Sequence, residues 1–268
     1  MDRIKTSAEC LQALNWNLIE EKLQEFAATD IGRESLSGIP FSMDPESIGQ
    51  HLAAVVEFQK LQSQGIGPNL SSCAEFGSQL HRVAEGRMLS GEEFVALGNS
   101  LRSIAHLRAG LQAHVSDEFP HMAALAERMM DTLPTSRWIL STFEPSGRVR
   151  DDATPKLSEL RRNHVRLLQR TKRAMEDYIH SYELQEMLQD SYYTVREERF
   201  VLPVKAQYRP RVAGIIHGSS STGATVFIEP EALVHANNDL LLLHEEMERE
   251  IEQILFERTE RILGELDA

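Results

Sequence analysis

One stretch of this chain, residues 191–230, has the pattern of a β-sheet within a sequence that otherwise favours helices. In this β segment, proline and glycine separate short runs of β-branched and aromatic residues: Thr194-Val195, Phe200-Val201-Leu202, Val204, Val212, Ile215-Ile216 and Thr225-Val226-Phe227-Ile228. The pattern predicts three or four short antiparallel strands joined by tight turns. A sheet this small buries little apolar area by itself, so neighbouring elements must hold it.

The charge of the β segment also differs from that of the rest of the chain. Between residues 196 and 217, five basic residues face two acids, whereas the whole chain has a formal net charge of −13. The basic residues are Arg196, Arg199, Lys205, Arg209 and Arg211. A solvated face is the ordinary explanation of such a run. A local positive patch on an acidic protein also suits an anionic partner.

Helical patterns cover the remaining sequence, so we predict a mainly α fold. The predicted divisions are a helical core over 1–153, a long helix over 154–190, the β segment over 191–230 and a second long helix over 231–268. Basic residues dominate the first long helix, which should run to about Gln189, and acids dominate the end of the second. We therefore expect antiparallel neighbours, with Lys172 and Arg173 beside Glu248 and Glu250.

Three helix starts are marked by capping patterns. Asp44 and Thr154 each precede a proline, which is favoured at the first helical position. Ser90 and Glu93 have the spacing of a capping box. With 268 residues, of which 41% are hydrophobic, the chain can form one large core or two modest ones.

The order of residues in the β segment resembles the clamp of the bacterial MutS homologue two family. The matching residues are Arg196-Glu197, Arg199-Phe200-Val201-Leu202-Pro203-Val204-Lys205, Tyr208-Arg209, Val212, Gly214-Ile215-Ile216-His217, Ser219 to Ser221, Gly223, Thr225 and Phe227-Ile228-Glu229-Pro230. The flanking helices fit the family more loosely, over nearly the whole chain. Gly218 departs from the pattern, because an acidic residue is expected after the histidine.

The resemblance implies a multi-helix core and two long antiparallel lever helices that carry a small antiparallel β clamp at their tip. The family suppresses recombination and associates with ribosomes, so the implied partners are branched or mismatched DNA, the ribosome, or both. A homodimer is implied for the full-length family. ATP and Mg²⁺ are implied for an ATPase domain, and nicking for a nuclease domain, which we expect outside this chain. Within the chain we expect no catalytic residue, metal or cofactor.

The candidate nucleic-acid-binding residues combine the basic side chains with the loop that follows them. They are Arg196, Arg199, Lys205, Arg209, Arg211, His217, Ser219, Ser220 and Ser221. The small residues of the loop would expose backbone N–H groups to a phosphate, but the sequence has no G-x-x-x-x-G-K-[ST] motif. A strand-joining turn is the favoured interpretation of this loop. A hydrolase built on His217 and these serines would need a buried acid hydrogen-bonded to His217.

A protein-interaction module is the alternative to a nucleic-acid clamp. In that interpretation the long helices form a hairpin whose basic tip binds an acidic protein. No apolar run approaches the roughly 18 residues that a membrane helix needs, so a membrane partner is not expected. Cys10 and Cys73 lack metal-ligand spacing, and a cytoplasmic location is the simplest interpretation.

Overall fold

The chain is mainly helical and contains a small antiparallel sheet, as a computed structural model shows. The structure describes residues 8–37, 39, 41–65, 70, 73, 75–113 and 118–266. The helices are α1 (Ala8–Ala13), α2 (Trp16–Phe26), α3 (Asp30–Leu36), α4 (Pro45–Ser63), α5 (Phe76–Ala84), α6 (Gly91–Ala113), α7 (Pro120–Arg128), α8 (Leu133–Thr142), α9 (Pro155–Ile179), α10 (Tyr182–Gln185) and α11 (Val234–Leu266). The strands are β1 (Thr194–Arg196), β2 (Arg199–Lys205), β3 (Gly214–Ser219) and β4 (Thr225–Pro230), and 3₁₀ helices span Ala206–Arg211 and Glu231–Leu233.

Contacts divide the chain into two compact units. The first comprises Met1–Arg150 with Leu255–Ala268, and the second comprises Asp151–Ile254. No helix in the described ranges has both the length and the apolarity to cross a membrane.

The predicted helix starts are confirmed. The carboxylate of Asp44 accepts hydrogen bonds from two amides in the first turn of α4. Before α6, the Glu93 amide donates to Ser90 Oγ at 3.3 Å and the Ser90 amide donates to Glu93 Oε2 at 2.8 Å, which is a reciprocal capping box. Thr154 Oγ1 accepts from an amide in the first turn of α9 at 3.0 Å. These contacts satisfy amides that have no partner inside a helix.

In the first unit, a buried carboxylate and a pair of aromatic rings fix the helices. Phe94 on α6 stacks on Phe143, with ring centroids 5.0 Å apart. Glu57 on α4 is buried, and its Oε2 accepts from the amides of His121 and Met122 at 2.9 and 3.0 Å. Because these amides open α7, Glu57 joins two helices that are distant in sequence.

Asp30 makes a similar long-range cap at the start of α5. Its carboxylate accepts from the amides of Gly77 at 3.0 Å and Ser78 at 2.7 Å. Partial burial by itself raises the pKa of Asp30, but the hydrogen bonds from Ser78 and Gly77 outweigh it and hold the pKa below its ordinary value. The ionised carboxylate therefore stabilises the contact between α3 and α5.

We predict that Asp30→Ala lowers the free energy of unfolding of the first unit by about 1 kcal/mol at neutral pH. Since folding lowers this pKa, the stabilisation is fully present above the unfolded value of about 3.9. It is lost as the pH falls through the lower folded value. Urea unfolding of wild type and variant across this range measures the difference. Glu34→Ala, an exposed change on the same helix, is the control. A difference that persists unchanged at low pH would exclude the ionised cap.

The sheet of the second unit has the strand order β1-β2-β4-β3, with antiparallel neighbours throughout. The predicted small antiparallel sheet is therefore confirmed. Its apolar core joins residues of the strands to residues of the adjoining helices: Met175, Ile179, Leu184, Met187, Leu188, Phe200, Leu202, Val204, Val212, Val226, Ile228, Leu233 and Leu240. Val212 is buried but follows a 3₁₀ helix instead of lying in a strand.

The first long helix is shorter than predicted. It ends at Ile179, not near Gln189. Leu188 instead forms a bridge with Val204 of β2, and the amide of Gln189 donates to Pro203 O at 2.8 Å. Pairing with the edge of the sheet therefore replaces helical hydrogen bonds over these residues, because tertiary contacts override local helix propensity.

The expected charge pairing between the long helices is wrong in register. Glu250 contacts Lys156 Nζ at 2.7 Å and Thr154 Oγ1 at 2.8 Å, whereas Lys172 and Arg173 were expected beside it. Because α9 ends at Ile179, the chain turns back towards α11 earlier than predicted. A residue nearer the start of α9 therefore lies beside Glu250. The hydrogen bond with Lys156 lowers the pKa of Glu250 despite partial burial, so the carboxylate is ionised at neutral pH.

Candidate nucleic-acid interface

The first two basic residues of the β segment meet across a hairpin. Arg196 and Arg199 are direct partners in the register of β1 and β2. Glu197 and Glu198 form the connecting turn with φ of 48° and 62°, as a two-residue hairpin turn requires. Because directly opposite residues share a face, Arg196 and Arg199 point the same way.

Arg199 is nevertheless engaged inside the protein. Its Nη1 donates to Glu229 Oε1 at 3.0 Å, and the Glu229 side chain is fully buried. Asn237 Nδ2 donates to the same oxygen at 2.8 Å, and His217 Nε2 lies 2.6 Å from Oε2. A buried carboxylate needs such partners to offset its desolvation. Much of the positive charge of Arg199 is therefore neutralised within the sheet.

Asn237 ties this network to α11. Its Oδ1 accepts from the amide of Phe200, and its Nδ2 donates to the Phe200 carbonyl, each at 3.1 Å. We call the four side chains of Arg199, His217, Glu229 and Asn237 the buried polar network. It joins β2, β3, β4 and the start of α11 through groups that lie far apart in sequence.

The other basic residues are more accessible and lie in two places. Arg196 is exposed and stacks over the Phe227 ring at 4.1 Å. At the opposite end of β2, Lys205 is half-buried and donates to the Glu186 carbonyl at 3.0 Å. Arg209 and Arg211 are exposed on the adjacent 3₁₀ helix. At about 3.3 Å per residue, β2 separates the two groups by roughly 20 Å.

The loop that contains Ser219, Ser220 and Ser221 is a turn that joins β3 to β4, which is the interpretation that the sequence favoured. Ser220 Oγ accepts from the Thr225 amide at 3.1 Å, and the Gly223 amide donates to the Ser220 carbonyl at 2.9 Å. Ser219 and Ser221 are exposed. Gly218 lies at a register shift in β3 with φ of 102°, a conformation that glycine adopts without strain. The positive φ therefore explains why glycine stands at this position instead of the acidic residue that the family pattern predicts.

His217 has the buried acid partner that a hydrolase would need. Its Nε2 contacts the buried acid Glu229, but its Nδ1 faces Glu197 Oε2 at 3.9 Å. Over the described ranges no hydrogen bond joins His217 to a hydroxyl of Ser219, Ser220 or Ser221. Among the described residues, the ring thus contacts two carboxylates and no serine hydroxyl of this loop. Nor do three His, Cys, Asp or Glu side chains of the described residues gather to hold a metal ion.

The buried polar network was not predicted from the sequence. Glu229 was recognised as part of the matching pattern, but its burial was not. The available clue was a single acid in the apolar run of residues 225–230, because a charge inside a buried strand requires a partner. Which residues supply the partners depends on strand register, and periodicity alone does not give the register.

Comparisons with known proteins identify relatives along almost the whole chain. No family model matches it. A protein named Endonuclease MutS2 from Symbiobacterium thermophilum is 32% identical over 259 residues, covering 96% of this chain and 32% of the relative. Proteins of the same name from Bacillus cereus (strain Q1) and Geobacillus sp. (strain WCH70) are each 30% identical, covering 96% of this chain and 33% of the relative. The chain thus spans about a third of the length of these relatives.

Proposed function

This chain is a homologue of the MutS homologue two family over 96% of its length, and we propose that it is a non-catalytic core, lever and clamp region that contacts the phosphate backbone of nucleic acid. The supporting observation is the set of exposed cations on the β segment of a chain with net charge −13. An acidic protein repels a polyanion except where its surface is locally positive. The contact is therefore confined to a few side chains.

Three basic residues suit this contact best. Arg209 and Arg211 are exposed, and Lys205 is half-buried beside them. Arg199 contributes less, because Glu229 already pairs with it. Phosphate contacts by Arg and Lys position a protein on a duplex without reading its sequence, which suits a clamp. We expect about three contacts from the β segment and weak binding, with a dissociation constant of roughly 10⁻⁴ to 10⁻⁶ M.

In this proposal α9 and α11 are antiparallel levers that carry the sheet. Thr154 and Lys156 at the start of α9 contact Glu250, well along α11. The core of the second unit joins Met175 and Ile179, near the end of α9, to Leu240, near the start of α11. The two sets of contacts have opposite order along the two helices, which supports the lever arrangement.

We assign the activities of the longer relatives to regions outside this chain. Nuclease activity is what the name of the relatives states, and we place ATP and Mg²⁺ with an ATPase domain. Homodimer formation in the full-length family and a cytoplasmic location, where DNA and ribosomes are both accessible, complete the proposal. Branched or mismatched DNA and the ribosome are its two candidate partners. A helical hairpin that binds an acidic protein is the competing function.

The experiment that tests the proposal compares these partners directly. The chain is titrated with duplex DNA, branched DNA, ribosomes and an acidic polypeptide over about 50 to 200 mM salt. We expect binding to DNA or ribosomes that weakens steeply with salt. Binding to the acidic polypeptide without binding to either nucleic-acid partner would favour the protein-interaction function instead.

We also predict that the chain does not bind ATP. Its sequence has no Walker loop, in which backbone N–H groups and a lysine cradle a triphosphate. Calorimetric titration with ATP and Mg²⁺ should give no heat beyond dilution. Micromolar binding that requires Mg²⁺ would show this prediction to be wrong.

A further inference from the structure

The middle of α9 is the most strongly basic part of the chain. Residues 160–175 contain six Arg or Lys residues and no acid. The sequence suggested that acids of the second long helix neutralise them. The structure pairs other residues instead: Lys156 contacts Glu250, and Arg161 contacts Asp151 at 3.2 Å. The basic residues that follow Arg161 on α9 take part in neither of these ion pairs, so their presence needs a different explanation.

Three arginines lie on one face of this part of the helix. Arg166, Arg170 and Arg173 follow i, i+4 and i+7 spacing, so they align over about 10 Å at 1.5 Å per residue. All three are exposed, and in the described part of the chain none forms an ion pair. Arg166 Nη2 is oriented by Asn163 Oδ1 at 2.5 Å. We call these three residues the arginine strip.

The arginine strip lines a concave surface that leads towards the sheet cations. Together with Gln169, Ala174 and Asp177, its three residues line an open surface cavity of about 330 Å³ along α9. A second cavity, of about 510 Å³, shares Ala174 and Asp177 with the first and is lined by Arg211. The strip and the basic 3₁₀ helix therefore border one continuous groove within the second unit. The carboxylate of Asp177 is the acidic group at the junction.

We propose that the arginine strip is a second phosphate-binding surface, which holds the backbone of a duplex nucleic acid along α9. Protein interfaces need a buried apolar centre, but of the described residues that line the first cavity Ala174 is the single apolar one, and Leu184, Met187 and Val212 line only the adjoining cavity. Binding of single strands relies on aromatic stacking, but no aromatic ring of the described residues lines the cavity along the strip, and Tyr178 lines only the adjoining cavity. Arginine supplies paired N–H donors that match phosphate oxygens, and nucleic-acid interfaces are polar and strongly positive.

This inference rests on the proposed function and extends its contact from the sheet to the lever. The test replaces Arg166, Arg170 and Arg173 by Gln together, because Gln retains helix propensity and removes the charge. Affinity for a duplex DNA several helical turns long is measured over about 50 to 200 mM salt. The matched control replaces Arg33, Arg102 and Arg128 of the first unit, which are also exposed, so that the net charge changes equally. Circular dichroism checks that the helix content of each variant is unchanged.

We expect the strip variant to lose about tenfold in affinity near 0.1 M salt and its log K–log salt slope to become shallower by about 2 to 3. The control variant should show only the small change in affinity and slope that the altered net charge causes in both variants. Asp177→Asn, which removes the acid at the junction, should strengthen binding several-fold. A strip variant that matches the control would overturn the inference. The proposed function would still stand in that case if replacement of Lys205, Arg209 and Arg211 by Ala together makes the log K–log salt slope shallower. A wild-type chain that binds an acidic polypeptide but neither DNA nor ribosomes would overturn both.

Discussion

Replacement of Glu229 by Ala is expected to lower the free energy of opening of the β segment by about 3 to 5 kcal/mol. The carboxylate is fully buried and accepts hydrogen bonds from Arg199 and Asn237, with His217 at 2.6 Å. Its removal leaves a guanidinium that is 20% exposed without its counter-charge, and one of the two N–H groups of Asn237 Nδ2 without an acceptor. Uncompensated buried groups of this kind account for the largest effects of single substitutions.

Hydrogen exchange of the β2 and β4 amides measures this loss where it occurs. Glu231→Ala is the matched control, because it removes an exposed carboxylate two residues away and should change stability by at most about 0.5 kcal/mol. Glu229→Gln keeps an acceptor for Arg199 or Asn237 but removes the charge, so an intermediate loss is expected. Equal exchange rates in the Glu229→Ala and Glu231→Ala variants would show that the buried polar network does not hold the sheet together.

The features that the sequence predicted well are those encoded locally. The strands follow from β-branched runs between prolines and glycines, and the helix starts follow from the caps at Asp44, Ser90 and Thr154. In each case the decisive contacts lie within a few residues. The turn at Glu197 and Glu198 is also encoded locally, because two polar residues between strands fit a short hairpin.

The features that the sequence did not predict depend on contacts between distant residues. Leu188 fits the apolar spacing of a helix, but its bridge with Val204 ends the helical region early. The partners of Glu229 lie 30, 12 and 8 residues away, on elements that strand register brings together. The charges of α9 matched acids on α11 by sign, and the pairing failed because helix length sets the register. Composition indicates which charges are available, and tertiary geometry determines which of them meet.

The claim that the β segment is the nucleic-acid contact makes a second large prediction. Most of the affinity that the β segment contributes should come from three residues, Lys205, Arg209 and Arg211. They lie together at one end of β2 and make no ion pair with any residue that the structure describes. Each phosphate contact on duplex DNA contributes about −0.9 to the slope of log K against log salt. Loss of all three should therefore make the slope shallower by about 2 to 3 and weaken binding at least tenfold near 0.1 M salt.

The measurement that tests this claim most directly is the salt dependence of duplex DNA binding by the triple variant Lys205→Ala, Arg209→Ala, Arg211→Ala. The Arg33, Arg102 and Arg128 variant provides the control for net charge, and folding is checked by circular dichroism. We predict a slope shallower by about 2 to 3 in the triple variant and a nearly wild-type slope in the control. An unchanged slope in the triple variant, with wild-type binding intact, would contradict the β segment as the contact surface.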